Sequence, residues 1–159
     1  MSSNERYQTL LQLSSAFGSA GSMAQALDTL SGALLRTINF DTVALFLNRG
    51  APIDGQAWYL LSRNSGQFTA QQEPPPEGEI GLLTFERNAP VQSSSQVACA
   101  VPLTTPRGSL GSITFLSRQQ NAYPDEEVRF LTLVGAQLGL IFLSLMHDMA
   151  LRRCFLRRG

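Results

Sequence analysis

VACAVPLTTPRGSLGSITFLS, residues 97–117, is the stretch that decides the architecture. Two runs rich in strand formers, 97–103 and 109–117, flank the turn sequence TTPRG. A connection that short joins antiparallel neighbours, because a parallel pair needs a crossover of about a dozen residues or more. Strand alternation then sorts the side chains onto two faces. Cys99, Val101, Leu103, Ile113 and Phe115 form a bulky set, and Ala98, Ala100, Ser112, Thr114 and Leu116 a smaller one.

The same pattern continues toward the N-terminus. DTVALFLN (41–48) is a strand whose Val43, Leu45 and Leu47 alternate with Thr42, Ala44 and Phe46. QAWYLLSR (56–63) and QFTAQQ (67–72) flank Asn64-Ser65-Gly66 and read as a second hairpin. EPPPEGE (73–79) is a stiff acidic connector. GLLTFERNAP (81–90) predicts a short helix stopped before Pro90, and VQSSS a short edge segment.

Helices bracket this sheet. Tyr7, Leu10, Leu11, Leu13 and Phe17 mark an amphipathic helix over 5–17. Ser22 and Gln25 make a capping box for a helix over 23–38. At the other end Pro124 suits a first helical turn, and Asp125, Glu126 and Glu127 favour the positive end of the helix dipole. That helix runs to about Arg158. The fold class is therefore α+β: an antiparallel sheet of about six strands with the N- and C-terminal helices packed on one face. A single domain covers 1–159, with N-terminal helices at 1–38, sheet and short helix at 41–117, and a C-terminal helix at 123–158.

Composition narrows the function. Hydrophobic residues make up 43% and charged residues only 15%, which predicts apolar surface destined for a partner. Twelve basic and twelve acidic residues cancel, which argues against nucleic acid and against a charged membrane surface. The longest apolar run, 138–143, falls well short of the ~20 residues of a membrane span. The polar N-terminus shows no secretory signal, so a cytoplasmic location is expected. With Cys99, Cys154 and His147 as the only cysteines and histidine, no structural metal site is expected, and no cofactor is required. Cys99 reads as a small core hydrophobe. Trp58 and Tyr59 must point to opposite faces of their strand.

Three stretches together resemble the GAF domain family. EGEIGLLTFERNAPVQ (77–92) is similar to its glycine, short helix and "APV" strand start; AVPLTTPRGSLGSITFLSRQ (100–119) to its "PL…G…G" hairpin; YPDEEVRFLTLVGAQLG (123–139) to its closing helix. The resemblance spans roughly the whole chain. It implies a regulatory or sensory domain that binds a small molecule, or relays a signal through its terminal helices to an output domain, in a bacterial transcriptional regulator or signal-transduction protein. The alternative is a ligand-free dimerisation scaffold. Typical members carry a longer insertion, often a helix, where this chain has only QSSSQ (92–96), which argues against a large enclosed cofactor such as a bilin.

The resemblance places a ligand on the face of the smaller side chains, lined by Phe46, Phe85, Ala98, Ala100, Ser112 and Thr114, and the same small side chains fit equally well a short helix lying directly on that face. Arg63, Glu79 and Arg87 would flank its mouth. It also implies that the chain is not an enzyme. The family's free methionine sulfoxide reductase needs an attacking thiolate and strand carboxylates, and those positions are Ile80, Ala98, Thr114 and Leu116 here. Leading into AQLGLIFLSLMHDMALRR (136–153), Leu131 and Val134 start a seam-like spacing that Leu138, Ile141 and Leu145 continue, and Gly135 and Gly139 permit close helix approach. The expected partner is a second copy, contacted through Leu10, Leu138, Ile141, Phe142, Leu145 and Met149. The ending RRCFLRRG reads as cut short, which predicts an output domain beyond this chain. The terminal arginines 152, 153, 157 and 158 suit a helix C-terminus without a nucleic-acid role.

Overall fold

Both hairpins form, and they share one sheet. The computed structural model describes residues 23–48, 56–72, 78–93 and 97–158, with Glu5, Arg6, Gln8, Gln12 and Pro75; the side chains at 56, 78 and 148–158 lie outside that description. The elements in chain order are α1 (Met23–Thr37), β1 (Thr42–Asn48), β2 (Gln56–Ser62), β3 (Phe68–Gln71), α2 (Gly78–Arg87), β4 (Val91–Gln92), β5 (Ala98–Thr105), β6 (Gly108–Leu116) and α3 (Asp125–Arg158). Glu5, Arg6, Gln8 and Gln12 are helical as well. Leu10 and Ser22 lie outside the described residues.

The six strands are antiparallel and follow the order β3-β2-β1-β6-β5-β4. The first and last long strands of the sheet, β1 and β6, are thus central neighbours. This is the α+β architecture expected from the sequence. The short helix differs at both ends. It begins at Gly78, three residues before the expected start. It ends at Arg87, where Asn88 adopts φ 50°, a left-handed conformation that asparagine tolerates at helix ends. Pro90 therefore precedes β4 without itself stopping the helix.

The bulky set is the core. Val43, Leu45, Leu47, Cys99, Val101, Leu103, Ile113 and Phe115 are all fully buried. They cluster with Ala26, Leu27, Leu30 and Leu34 of α1 and with Leu131, Val134, Leu138 and Phe142 of α3. Both helices lie on this face, α3 across β5 and β6 and α1 nearer the β3 edge.

Two glycines set how closely α3 lies. A Cβ on Gly135 would fall 2.5 Å from the Pro102 carbonyl oxygen, and one on Gly139 would fall 2.3 Å from that of Thr104. These glycines seat the helix backbone directly on β5, which corrects their expected role at a helix partner. The seam-like residues follow the same logic: Leu131, Val134, Leu138 and Leu145 turn toward the chain's own sheet. Leu138, Phe142 and Leu145 are thus spent inside the core and cannot form the interface assigned to them. Ile141 is only partly buried, and the Met149 side chain lies outside the described residues. Among the described residues, the large hydrophobics that α3 does expose are Leu133, Leu140 and Leu143.

The segment Asp125–His147 is long and apolar enough to cross a membrane, which the run-length reading had not anticipated. Its sheet-facing side is buried, 44% of the apolar window in all, while Leu133, Leu140 and Leu143 of the same segment are exposed. His147 is exposed, two residues beyond the buried Leu145.

Polar ties join the terminal elements. The Tyr123 hydroxyl donates to the Asn39 carbonyl at 2.9 Å, linking the start of α3 to the end of α1. Gln92 Nε2 donates to the Tyr123 carbonyl from the edge strand. Arg6 donates twice to Glu127, at 3.0 and 2.5 Å, with its guanidinium 3.8 Å above the Phe130 ring. Arg6 thereby fastens its helical segment to α3.

Candidate functional site

The smaller set faces the other way and meets α2. Register puts Ala44 beside Thr114 and Phe46 beside Ser112 across β1 and β6. Ala100 pairs with Thr114 on β5, and Phe46 pairs with Trp58 on β2. One lateral patch results: Ala44, Phe46, Trp58, Ala98, Ala100, Ser112 and Thr114, all buried. The Trp58 ring lies here, 4.7 Å from Phe46, while Tyr59 packs against the core on the opposite face. Phe85 of α2 meets Phe46 edge-on at 5.3 Å. The six residues expected to line a ligand site therefore gather where α2 meets this face. Trp58 joins them; its adjacency to Tyr59 announced opposite faces but not which residue took which.

α2 lies directly on this patch. A Cβ at Gly81 would stand 2.9 Å from Ser112 Oγ, 3.1 Å from Thr114 Oγ1 and 3.9 Å from the Trp58 six-membered ring. Only a residue without a side chain allows this approach. Thr84 Oγ1 donates to the Ala100 carbonyl at 3.3 Å, and Ser109 Oγ to the Phe85 carbonyl at 3.1 Å, so α2 is tied to both β5 and β6.

The polar bookkeeping of the patch is incomplete. Trp58 Nε1, Ser112 Oγ and Thr114 Oγ1 are buried and have no hydrogen-bond partner among the described residues. Buried polar groups of native proteins are nearly always satisfied, by protein, water or ligand. These three groups lie together on the face that α2 covers.

The three charged residues expected at the mouth have other places. Arg63 donates to the carbonyls of Phe40, Leu35 and Ile38, and its guanidinium stands 4.5 Å over the Phe40 ring. It satisfies the chain leaving α1, where helix carbonyls lack partners. Glu79 and Arg87 are exposed on α2. A separate polar cleft of about 340 Å³ opens at the end of the sheet, lined by Asp41, Thr42, Ser62, Arg63, Asn64, Leu116, Ser117 and Arg118. Its carboxylate already accepts from the Arg118 backbone N–H at 2.6 Å, and Arg63 is engaged as above. The face under α2 carries the unmet hydrogen-bonding capacity, so it is the better candidate.

Cys99 is fully buried on the core face, and burial pushes its thiol up to about 12. It is a packing residue and stays protonated. Among the described residues no group of histidine, cysteine and carboxylate side chains has metal-binding geometry.

No family model matches the chain, and no curated protein matches it. Solved structures do. The GAF domain of an Acinetobacter phosphoenolpyruvate-protein phosphotransferase is 19% identical, with 96% of this chain and 99% of that one covered at a TM-score of 0.64. The GAF domain of the potassium sensor histidine kinase of Escherichia coli is 15% identical, covering 91% and 97% at 0.63. The free methionine-R-sulfoxide reductase of Neisseria meningitidis, solved with its substrate, is 14% identical, covering 93% and 96% at 0.62. Full-length superposition at such low identity establishes shared architecture, and by that architecture the chain is a GAF-like domain.

Proposed function

We propose that this domain is a sensory module of a signal-transduction protein or transcriptional regulator. A small molecule taken up between α2 and the sheet would alter how β1, β5 and β6 carry α1 and α3, and the terminal helices would pass the change to an output domain. The observation that carries this reading is the set of three buried, unpartnered polar groups under α2. The shared strands supply the route, because adjacent residues of β5 and β6 serve the ligand face and the helix face in alternation. Similar folds in a sensor kinase and a phosphotransferase support the role.

A reductase activity is disfavoured by chemistry. Ile80, Ala98, Thr114 and Leu116 occupy positions where the resemblance requires a thiol and carboxylates, and the Cys99 thiol is buried on the wrong face. A thermal-shift screen of metabolites tests the sensory role: a ligand at a hundred times its Kd stabilises by ~2.7 kcal/mol. A silent screen would remove it.

A second reading, a homodimer, rests on Leu133, Leu140 and Leu143. They are 48%, 55% and 36% exposed, and their steps of seven and three keep them on one stripe of α3. The two roles are compatible. Light scattering at low micromolar concentration decides it, with a clean monomer as the opposing result.

A further inference from the structure

We infer that the molecule recognised under α2 is uncharged, flat and carbonyl-bearing, and that it enters by lifting α2 from the sheet; this rests on the sensory reading above. The patch offers the ligand three aromatic rings, Phe46, Trp58 and Phe85, with Phe46 in contact with both others. Rings so arranged favour a planar partner, by stacking or edge contact. It also offers one obligatory donor, the Trp58 indole N–H, and two hydroxyls that donate or accept, Ser112 and Thr114. The Thr84 hydroxyl is already committed to Ala100.

Among the described residues, no ionisable side chain belongs to this set. The patch residues on β1, β2, β5 and β6 are apolar, aromatic or hydroxylic, and Glu79, Glu86 and Arg87 of α2 are exposed. A carboxylate or phosphate seated here would lose its water without gaining a counter-charge, which is strongly unfavourable. A neutral carbonyl, amide or lactam instead accepts from the indole N–H and exchanges hydrogen bonds with the hydroxyls.

Access requires movement. With Gly81 seated so close to the Ser112 and Thr114 hydroxyls, the space before them does not admit a methyl group. The site is therefore closed in this conformation and opens when α2 separates from β6. Observed affinity is then the intrinsic affinity reduced by the population of the open state. A displaced α2 also gives the domain two distinguishable states, which a sensor needs.

Trp58 is the only tryptophan of the chain, so its fluorescence reports this patch directly. The experiment titrates the whole chain with matched pairs, benzamide against benzoate and nicotinamide against nicotinate, following Trp58 emission. The expected result is a saturable change with at least one amide, its acid binding roughly tenfold more weakly or worse, and loss of the response in Ser112→Ala/Thr114→Val. Equal or tighter binding of the acids overturns the neutral class while leaving the sensory reading in place. A Trp58 signal unmoved by either amide overturns this inference, and the sensory reading falls as well only if the wider metabolite screen is silent. A response that survives in the double variant, whose folding is checked by its melting curve, also overturns the assignment.

Discussion

The Gly81 backbone sits so close to Ser112 that a single added carbon would stand 2.9 Å from the serine oxygen. The helix thus presses on a hydroxyl that has no partner among the described residues. Such an arrangement costs stability. An unmade hydrogen bond on a buried group costs about 1–3 kcal/mol, whereas removing the group altogether removes that cost.

Thr114→Val and Ser112→Ala should therefore stabilise the ligand-free domain, by about 1 kcal/mol each, as read from urea unfolding midpoints at unchanged slope. Most core substitutions destabilise, so the sign alone is diagnostic. A loss of stability in both would show that the hydroxyls are satisfied in solution.

Gly139→Ala should destabilise strongly. Alanine is normally better than glycine in a helix interior by ~1 kcal/mol. Here the new methyl would meet the Thr104 carbonyl at 2.3 Å, and backbone cannot give way as a side-chain tip can. Overpacking of this kind costs about 1–3 kcal/mol or more. Gly32, with open space around its Cβ position, is the control: Gly32→Ala should be neutral or stabilising in the same melts.

Arg63→Ala should cost about 1–3 kcal/mol, since it abandons three carbonyls at the exit of α1 and the face of Phe40. Arg63→Lys should recover little. A lysine ammonium lacks the planar fork that reaches Phe40, Leu35 and Ile38 together. Thermal melting of the two variants beside the parent checks both statements.

Stability should fall on the alkaline side. Burial raises the Cys99 thiol from an ordinary 9.0 to about 12 and raises the Tyr123 hydroxyl as well. For each, the unfolded chain loses its proton first. Their contribution is fully present below about pH 9 and is lost as pH rises toward the folded values, at about 1.4 kcal/mol per pH unit for each group. Melting temperature measured from pH 7 to 11 should show this limb, and Cys99→Ala should make it shallower.

Leu133→Glu with Leu140→Glu should leave the fold intact and abolish any dimer seen by light scattering. Both side chains are about half exposed, so the substitution spares the core. Leu138→Glu should instead unfold the domain, because Leu138 is fully buried against the sheet. An unchanged dimer in the double variant would place the interface elsewhere.

By itself the sequence determined the sheet, its two hairpins, the two faces and the helices at both ends. Those features are local: hairpin length sets strand direction, and period-two alternation sorts Val101 from Ala100 wherever the strand lies. The candidate face was legible for the same reason. What only the tertiary structure decided is contact. Arg63 read as a residue at the pocket mouth, yet it binds the end of α1, because a long side chain goes where unpartnered carbonyls are. The helix glycines and the Leu131–Leu145 spacing read equally well as a dimer seam or a sheet-facing stripe. Periodicity states that such residues share a face without naming what it meets, and β5 lay within reach of the same chain. The unmatched hydroxyls under Gly81 were beyond sequence altogether, since satisfaction of a polar group depends on every atom around it and not on its neighbours along the chain.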